Sequence, residues 1–335
     1  MTNDQRSIHP PAWLRSLLWP LSALAVLLLF NLLFTEGFAR LTIRDGHIYG
    51  SLVDILKLSS QVMLVALGMT LVIATAGVDL SVGAVVAIAG SVATKLMVER
   101  HAGLPLALAA SLGLCLALGG WNGALVAWAG VQPIVATLIL MVAGRGVAQL
   151  LTDGQIITVS SPGFSFIAGG HFLGLPFPVT LVVMMWLITV ALTRGTAMGL
   201  FIESVGNNET ASRFCGVNAR AVKMFVYTFT GCCAGLAGLV AASDINAADA
   251  NNAGLYIELD AILAVVIGGT SLSGGRFNLA GSLVGALIIQ TLTTAIKMRG
   301  VPVEYTLVVK AVVVMGVCLL QSEQFRGLWM RRRRA

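Results

Sequence analysis

Several polar residues lie within or at the ends of long apolar stretches, where removing a polar group from water is costly. Arg145 falls near the middle of its stretch, between Gly144 and Gly146, so its guanidinium must face a partner, a cavity or an interface. Asn122 is, by its depth, the amide best placed to bind a hydroxyl group. As candidates for a path through the protein we take Asn122, Gln132, Arg145 and Asp79. The other members of the set are Gln149, Glu258, Asp260, Gln290 and Lys310, and for those near stretch ends an interfacial or helix-capping role is the alternative.

Motifs for catalysis or nucleotide binding are missing from the sequence. No glycine is followed by lysine, so the chain has no G-x-x-x-x-G-K-[ST] loop to hold phosphates. The histidines lie outside the apolar stretches and the cysteines form no C-x-x-C pair, which leaves no support for a catalytic triad or a zinc site. We therefore expect no enzymatic activity, no cofactor and no metal, and the energy for any uphill transport must come from elsewhere.

A polar loop at residues 194–223 separates two apolar stretches. Asn207 or Asn208 can cap a short helix within it. Glu209 would favour the positive N-terminal end of that helix, and Arg213 suits its last turn. The residue types therefore predict a small helix on the surface.

The end of this short helix is set by Gly216, which can adopt the left-handed conformation that stops a helix. Ala211, Phe214 and Cys215 share one face by their i, i+3, i+4 spacing. A small helix with one apolar face is a shape that docks into a groove on another protein. A short surface helix without a partner is the alternative.

Acidic residues are concentrated in the segment 244–260, beside apolar neighbours. They could form a docking surface for an external partner that carries cations. The alternative is a loop that is simply solvated. The acids of this segment are Asp244, Asp249, Glu258 and Asp260.

The elements that position these residues are predicted to be membrane helices. The 335-residue chain is 57% hydrophobic and 11% charged, whereas soluble proteins carry about 25% charged residues. The apolar runs are continuous rather than alternating, which argues against a closed barrel. We predict an all-α polytopic membrane protein, with residues 1–335 forming a single transmembrane domain. About ten runs have the length of a membrane span, near 17–34, 59–77, 80–98, 104–128, 133–152, 176–193, 222–242, 258–274, 277–296 and 305–321.

The distribution of basic residues predicts the orientation of the chain. With both termini on one side, that side holds the larger share of Lys and Arg and is expected to be cytoplasmic. The N-terminal tail 1–16, the loop 194–223 and the basic tail 322–335 then lie in the cytoplasm. The four arginines at 331–334 suit anionic lipid headgroups, so the net charge of +6 implies no nucleic-acid partner.

Two segments, 74–91 and 266–282, share a pattern. Each has an apolar helix, glycines, the motif L-S-x-G and then a second apolar helix with A-G-S. An interrupted helix frees backbone groups that only protein or trapped water can satisfy. Two glycine-broken helical pairs in two halves of a chain indicate an internally duplicated transporter, and two glycine-rich tight turns are the alternative.

Several motifs, in order along the chain, resemble those of the membrane permease subunits of ribose-type sugar ATP-binding-cassette importers. The loop motif is G-x-N-E-x-A-x-R-x-x-G-V, at residues 206–217. Its companions are G-M-T-L-V-I-A-T-A-G-V-D-L-S-V-G (68–83), Q-P-I-V-A-T-L-I-L-M-V-A-G-R-G-V-A-Q-L (132–150) and A-V-V-I-G-G-T-S-L-S-G-G-R (264–276). The resemblance covers nearly the whole chain, and segments 144–158 and 249–269 look most like galactofuranose-transporter permeases.

The resemblance implies a permease subunit that carries a monosaccharide, galactofuranose or another hexose or pentose, across the bacterial inner membrane. It implies a cytoplasmic ATPase subunit, a periplasmic sugar-binding protein and a second permease subunit as partners, and in galactofuranose systems the two permeases are different chains. The sequence departs from the commoner N-E-A-A-A-R at Thr210 and Ser212, which are both small. The positions that would form the coupling helix gripped by the ATPase are Gly206, Asn208, Glu209, Ala211, Arg213 and Gly216.

An ion-coupled secondary transporter that works without an ATPase is the main alternative. It predicts titratable carboxylates at mid-membrane, and Asp79 and Asp260 come closest, although both lie beside turns. A passive channel is a third class, and a membrane enzyme is least supported because no nucleophile–base pair is present. The importer interpretation predicts that ATP binding on the partner pulls the short helix and converts an outward opening to an inward one.

Overall fold

The computed structural model describes residues 12–35, 38, 42–44, 47–172, 174–300, 302, 305, 307–312 and 315–316, and these residues are mostly helical. The helices are α1 (Ala12–Phe34), α2 (Ser51–Ala74), α3 (Val82–Val98), α4 (Leu104–Ala127), α5 (Pro133–Leu151), α6 (Pro162–Gly169), α7 (Phe177–Arg194), α8 (Met198–Asn207), α9 (Glu209–Phe214), α10 (Ala219–Asp244), α11 (Ile257–Ile267) and α12 (Leu279–Met298). The strands are β1 (Thr42–Arg44), β2 (His47–Tyr49), β3 (Ile157–Thr158), β4 (His171–Phe172), β5 (Leu175–Pro176) and β6 (Ala247–Ala248).

Seven of the described helices, α1, α2, α4, α5, α7, α10 and α12, are long and apolar enough to cross a membrane. Each overlaps one of the runs predicted from the sequence. The predicted run 80–98 corresponds to α3, which has 17 residues and is shorter than these seven. Of the predicted run 305–321, residues 305, 307–312 and 315–316 are described and are helical, and the rest lie outside the described residues. Residues 1–11 of the N-terminal tail and the tail 322–335 also lie outside them.

The predicted run 258–274 is much shorter in the structure, because α11 has 11 residues and ends at Ile267. Gly268 follows it, and Gly269 has a φ of +88°, a left-handed conformation that ends a helix. Apolar composition therefore continues through a segment in which the backbone has already left the helix.

The centre of the bundle is formed by α2, α3 and α10, whose residues are mostly buried. Small residues let these helices approach their neighbours closely. A Cβ on Gly119 of α4 would lie 3.0 Å from the Cα of Gly231 of α10, and Gly238 of α10 packs on the backbone of Val86 in α3. Such backbone contact is typical of membrane helix packing, in which van der Waals contact replaces the hydrophobic driving force.

Two interruptions divide the central helices. The first separates α2 from α3, at residues 75–81, and the second separates α11 from α12, at residues 268–278. The helices beside them are linked by a buried hydrogen bond that Thr70 of α2 donates to Ser282 of α12 over 2.8 Å. The glycine-rich segments singled out in the sequence are therefore helix breaks, and the two breaks lie in contacting helices.

Short antiparallel strand pairs connect the loops. The pair β3–β6 joins the loop after α5 to the loop after α10, with Ile157 opposite Ala248 and Thr158 opposite Ala247. These pairs, the helix α6 and the helix α8 are additions to the elements predicted from the sequence.

Candidate translocation path and coupling loop

The short helix predicted in the polar loop is α9, and its ends are formed as the sequence indicated. The side chain of Asn208 accepts a hydrogen bond of 2.9 Å from the backbone N–H of Ala211, which is an N-cap contact. Gly216 has a φ of +85°, and its N–H donates to the carbonyl of Arg213. Both terminal positions of α9 are therefore set by local sequence.

The exposed face of α9 is apolar and basic. Ala211, Arg213 and Cys215 are exposed, and the side chain of Phe214 is 88% exposed. An apolar ring that is almost completely exposed on a capped helix has the character of a contact for another molecule.

The first turn of α9 is tied to the bundle by an ion pair. The carboxylate of Glu209 lies 2.6 Å from the ammonium of Lys223 in the first turns of α10. Glu209 therefore holds α9 against the helix that runs through the centre of the protein.

Gly206 lies at the junction of three elements. It is buried near the end of α8, where the position of a Cβ would coincide with the carbonyl oxygen of Ala74 at the end of α2. The same carbonyl accepts a hydrogen bond of 2.9 Å from the N–H of Gly275, in the second helix break. Backbone contact therefore links the loop that carries α9 to both interruptions of the central helices.

Beyond α10, at the end of the bundle opposite α9, the chain turns back into the bundle. Gly254 packs against Gly83 and Val86 of α3. Tyr256 has a left-handed backbone conformation with a φ of 64°, and α11 begins at the next residue, Ile257. We name residues 245–256 the re-entrant segment. Irregular backbone at this depth is tolerated where it is buried in protein or lines a cavity.

Arg145 holds the re-entrant segment to α5. Its Nη1 donates hydrogen bonds to the carbonyl oxygens of Ala250, at 3.2 Å, and of Ala253, at 2.5 Å. The sequence indicated that this guanidinium must face a partner, a cavity or an interface, and the structure gives it two carbonyl partners more than a hundred residues away. Arg145 thereby satisfies backbone groups that an irregular segment leaves free.

A second polar contact lies one helical turn further along α5. The side-chain amide of Gln149 donates a hydrogen bond of 2.9 Å to the side chain of Asn251, and both residues are exposed. Asn251 and its neighbour Asn252 were missed as candidates in the sequence, although the run N-N-A-G between apolar residues was a usable signal. Exposed amides beside Arg145 form a polar surface on an otherwise apolar helix.

The remaining path candidates are separated from this surface. Asn122 and Asp79 are buried at the first helix break, where Asn122 donates to the hydroxyl of Ser81 at 2.8 Å and Ser81 donates to Asp79 at 2.6 Å. Gln132 is exposed at the N-terminus of α5. The half-buried Arg145 and the exposed Gln149 are thus the candidates that the structure brings together beside the re-entrant segment.

The acidic residues of segment 244–260 occupy different environments. Asp244 pairs with Lys57 at 2.6 Å, and Asp260 pairs with Lys310 at 2.6 Å. Glu258 is only 9% exposed and lies against Gly83, so it is not on an open surface. Asp249 accepts hydrogen bonds from Asn251 and Asn252 within the re-entrant segment. The single acidic docking surface expected from the sequence is therefore divided among the re-entrant segment, two ion pairs and the interior.

Comparison with known proteins gives close relatives over nearly the whole length. The chain is 52% identical over 315 residues to the galactofuranose transporter permease protein of Escherichia coli K12, covering 92% of each chain. It is 39% identical to the fructose import permease protein of Bifidobacterium longum NCC 2705, over 96% of this chain and 92% of the relative. The ribose import permease protein of Escherichia coli K12 is 38% identical, over 82% and 86%. No solved structure matches the chain.

The family profile of the permease component of the branched-chain amino acid transport system matches residues 51–318. That range includes both helix breaks, the re-entrant segment and α9. The long apolar helices and the relatives agree with this match, and the chain is a multi-pass membrane protein. It belongs to this family of membrane permease components.

Proposed function

We propose that the protein is the transmembrane permease subunit of an ATP-binding-cassette importer that carries a monosaccharide into the cell. The observation that carries the proposal is the capped helix α9, which presents Phe214 to a partner while Glu209 ties it to α10. The galactofuranose, fructose and ribose permeases among its relatives support a sugar as the substrate. With 52% identity to one of them, galactofuranose or a similar hexose or pentose is the proposed cargo.

The proposed complex has two permease subunits, two ATPase subunits and an external sugar-binding protein. The permease spans the bacterial inner membrane about ten times with both termini in the cytoplasm, and its two helix breaks belong to an internal repeat. The ATPase grips α9 through positions Gly206, Asn208, Glu209, Ala211, Arg213 and Gly216. The sugar-binding protein docks at the opposite end, where Asp249 lies in the re-entrant segment.

The proposed sugar path follows the exposed polar surface formed by α5 and the re-entrant segment. Polar side chains such as Gln149 and Asn251 are unfavourable against lipid, so they face a water-filled path or a second permease. Asn122 and Asp79 lie at the first helix break and are proposed to act in closing the path toward the cytoplasm. The Gly206 junction supports this role, because it connects that break to α8 and α9.

Transport by the reconstituted complex tests the function. We expect labelled sugar to enter liposomes only when the chain, its ATPase subunits, ATP and the sugar-loaded binding protein are all present. Gly216→Val forces a branched side chain into the left-handed region that ends α9 and should abolish sugar-dependent ATP hydrolysis while the purified protein stays folded.

Two outcomes would contradict the proposal. Uptake by this chain alone, driven by a proton or sodium gradient, would establish an ion-coupled secondary transporter. Flux without ATP, a gradient or a partner would establish a passive channel. An ion-coupled transporter would need a titratable carboxylate, and Asp79 and Asp260 are the candidates for it. Asp79 accepts a hydrogen bond from Ser81, and Asp260 forms an ion pair with Lys310.

A further inference from the structure

A groove opens beside α9, between α8 and the second helix break. Its volume is about 610 Å³, enough for the end of a helix or a loop of another protein. One wall comes from α8, with Leu200, Glu203 and Asn207, and the other comes from Ser271 and Arg276 of residues 268–278. We name it the α8 groove.

The rim of the α8 groove carries apolar and charged side chains. Leu200 lines the groove and is 68% exposed, and Leu272, the residue after the lining Ser271, is 53% exposed. Arg276 is exposed, and within the part of the chain that the structure describes it forms no ion pair. A matching surface would present an apolar side chain to the two leucines and a carboxylate to the arginine.

The floor of the groove is in close backbone contact with both helix breaks. Gly274 packs on Gly206 and Ala76, and Gly275 donates a backbone hydrogen bond to Ala74. An object seated in the groove would therefore press on the backbone of both helix breaks. The groove is also continuous with α9, because α8 ends at Asn207 and α9 begins at Glu209.

We propose that the α8 groove is a second docking surface for the ATPase subunit, distinct from α9. The segment that occupies it carries an acidic residue paired with Arg276 and an apolar residue packed on Leu200 and Leu272. The inference rests on the proposed function, since it assumes that an ATPase binds at α9. Engagement of both surfaces gives the ATPase a direct contact with the second helix break as well as with the coupling helix.

Charge reversal at the groove tests the surface. The full-length chain is purified with its ATPase subunits from the membranes of its source organism, and bound ATPase and sugar-dependent ATP hydrolysis are measured. We expect Arg276→Glu to lower sugar-dependent hydrolysis and the amount of bound ATPase at least tenfold. Arg276→Lys keeps the charge and should retain most of both. Arg194→Glu is the matched control, because Arg194 is another exposed arginine, at the end of α7, that does not line the groove.

A cross-link gives a second readout that does not depend on activity. Cys215→Ser removes the exposed thiol of α9, and Leu272→Cys then places a thiol at the tip of the second break. A short bifunctional thiol–amine reagent should join this cysteine to the ATPase subunit in the assembled complex. The same reagent should give no such product when a cysteine replaces Leu150, which is exposed on α5 at the opposite end of the bundle.

The outcomes separate this inference from the proposed function. If wild-type protein binds ATPase and Gly216→Val uncouples it, but Arg276→Glu is neutral and Leu272→Cys does not cross-link, the groove proposal is wrong and the importer proposal stands. A Leu272→Cys product with lipid or with a second permease, and none with the ATPase, also overturns the groove proposal. If the wild-type complex contains no ATPase, both proposals fail.

Discussion

At the scale of single residues, Arg145 shows how one side chain stabilises an irregular segment inside a bundle. The re-entrant segment has only isolated turns, and the guanidinium supplies donors to two of its carbonyls. Both bonds are donated by Nη1, so one nitrogen of the guanidinium bridges two carbonyl oxygens of the segment. The position therefore uses a charged group that can donate two hydrogen bonds at once.

Arg145→Ala should lower the free energy of unfolding by about 2 kcal/mol, since it removes charged hydrogen bonds and leaves carbonyl groups unpaired. We also expect a loss of sugar uptake, because the re-entrant segment would no longer be held against α5. Thermal unfolding in detergent and uptake by the reconstituted complex measure the two effects. Arg100→Ala, at an exposed residue near the end of α3, should change neither. Equal stability of the Arg145 and Arg100 variants would show that the carbonyl contacts are not stabilising.

At the scale of the elements, α9 and α10 are joined by a pair of charges that can be exchanged. Glu209→Lys places two ammonium groups side by side and should separate α9 from α10, so that sugar-dependent ATP hydrolysis falls at least tenfold. The double variant Glu209→Lys with Lys223→Glu restores an ion pair of the same length and should recover most of the activity. The rates of ATP hydrolysis of the wild type, the two single variants and the double variant give the interaction energy between Glu209 and Lys223.

If the double variant does not recover ATP hydrolysis, the ATPase itself must contact the carboxylate of Glu209. The binding of Lys223 to Glu209 would then be incidental to coupling. Recovery would assign Glu209 to the positioning of α9 and leave the contact with the partner to the exposed face around Phe214.

The ends of α9 were predictable from the sequence, and the helix before it was not. Asn208 and Gly216 act through their own backbone and nearest neighbours, so local residue types were sufficient. The helix α8 lies in a region with several polar residues and is organised by burial of Ile202, Val205 and Gly206 against the bundle. That burial depends on tertiary contacts which a local pattern does not contain.

At the scale of the whole molecule, the long helices were accessible from hydropathy because a span is defined by length and composition. The re-entrant segment was not, because composition alone does not show whether residues 244–260 form a solvated loop or pack against α3 and α5. Its position depends on contacts with Arg145 and Gln149, about a hundred residues earlier in the chain. The candidate path was therefore only partly predictable: Arg145 was recognised by its depth, and the asparagines it lies beside were not.

The contact between Gly206, Ala74 and Gly275 leaves no room for a side chain. A substitution at Gly206 therefore tests whether this contact couples the loop that carries α9 to the rest of the bundle. Gly206→Ala should destabilise the protein toward the upper end of the about 1–3 kcal/mol range for overpacking, and should also uncouple ATP hydrolysis from uptake. Gly146→Ala is the matched control, because it is a helical glycine with open space around it. Unfolding temperature and the ratio of sugar carried to ATP hydrolysed distinguish the variants. If Gly206→Ala changes neither the unfolding temperature nor the ratio of sugar to ATP, the close contact of Gly206 with Ala74 and Gly275 is not needed for stability or coupling.

The strand pair β3–β6 ties together the two connections at the end of the bundle farthest from α9. Ala248, in the second of these strands, is two residues before Ala250, whose carbonyl is held by Arg145. Should the proposed sugar-binding protein dock on this strand pair, a displacement of β6 would reach the carbonyl bound by Arg145 through two residues of chain. Binding at this end of the bundle would then be coupled to α5 by a short stretch of backbone.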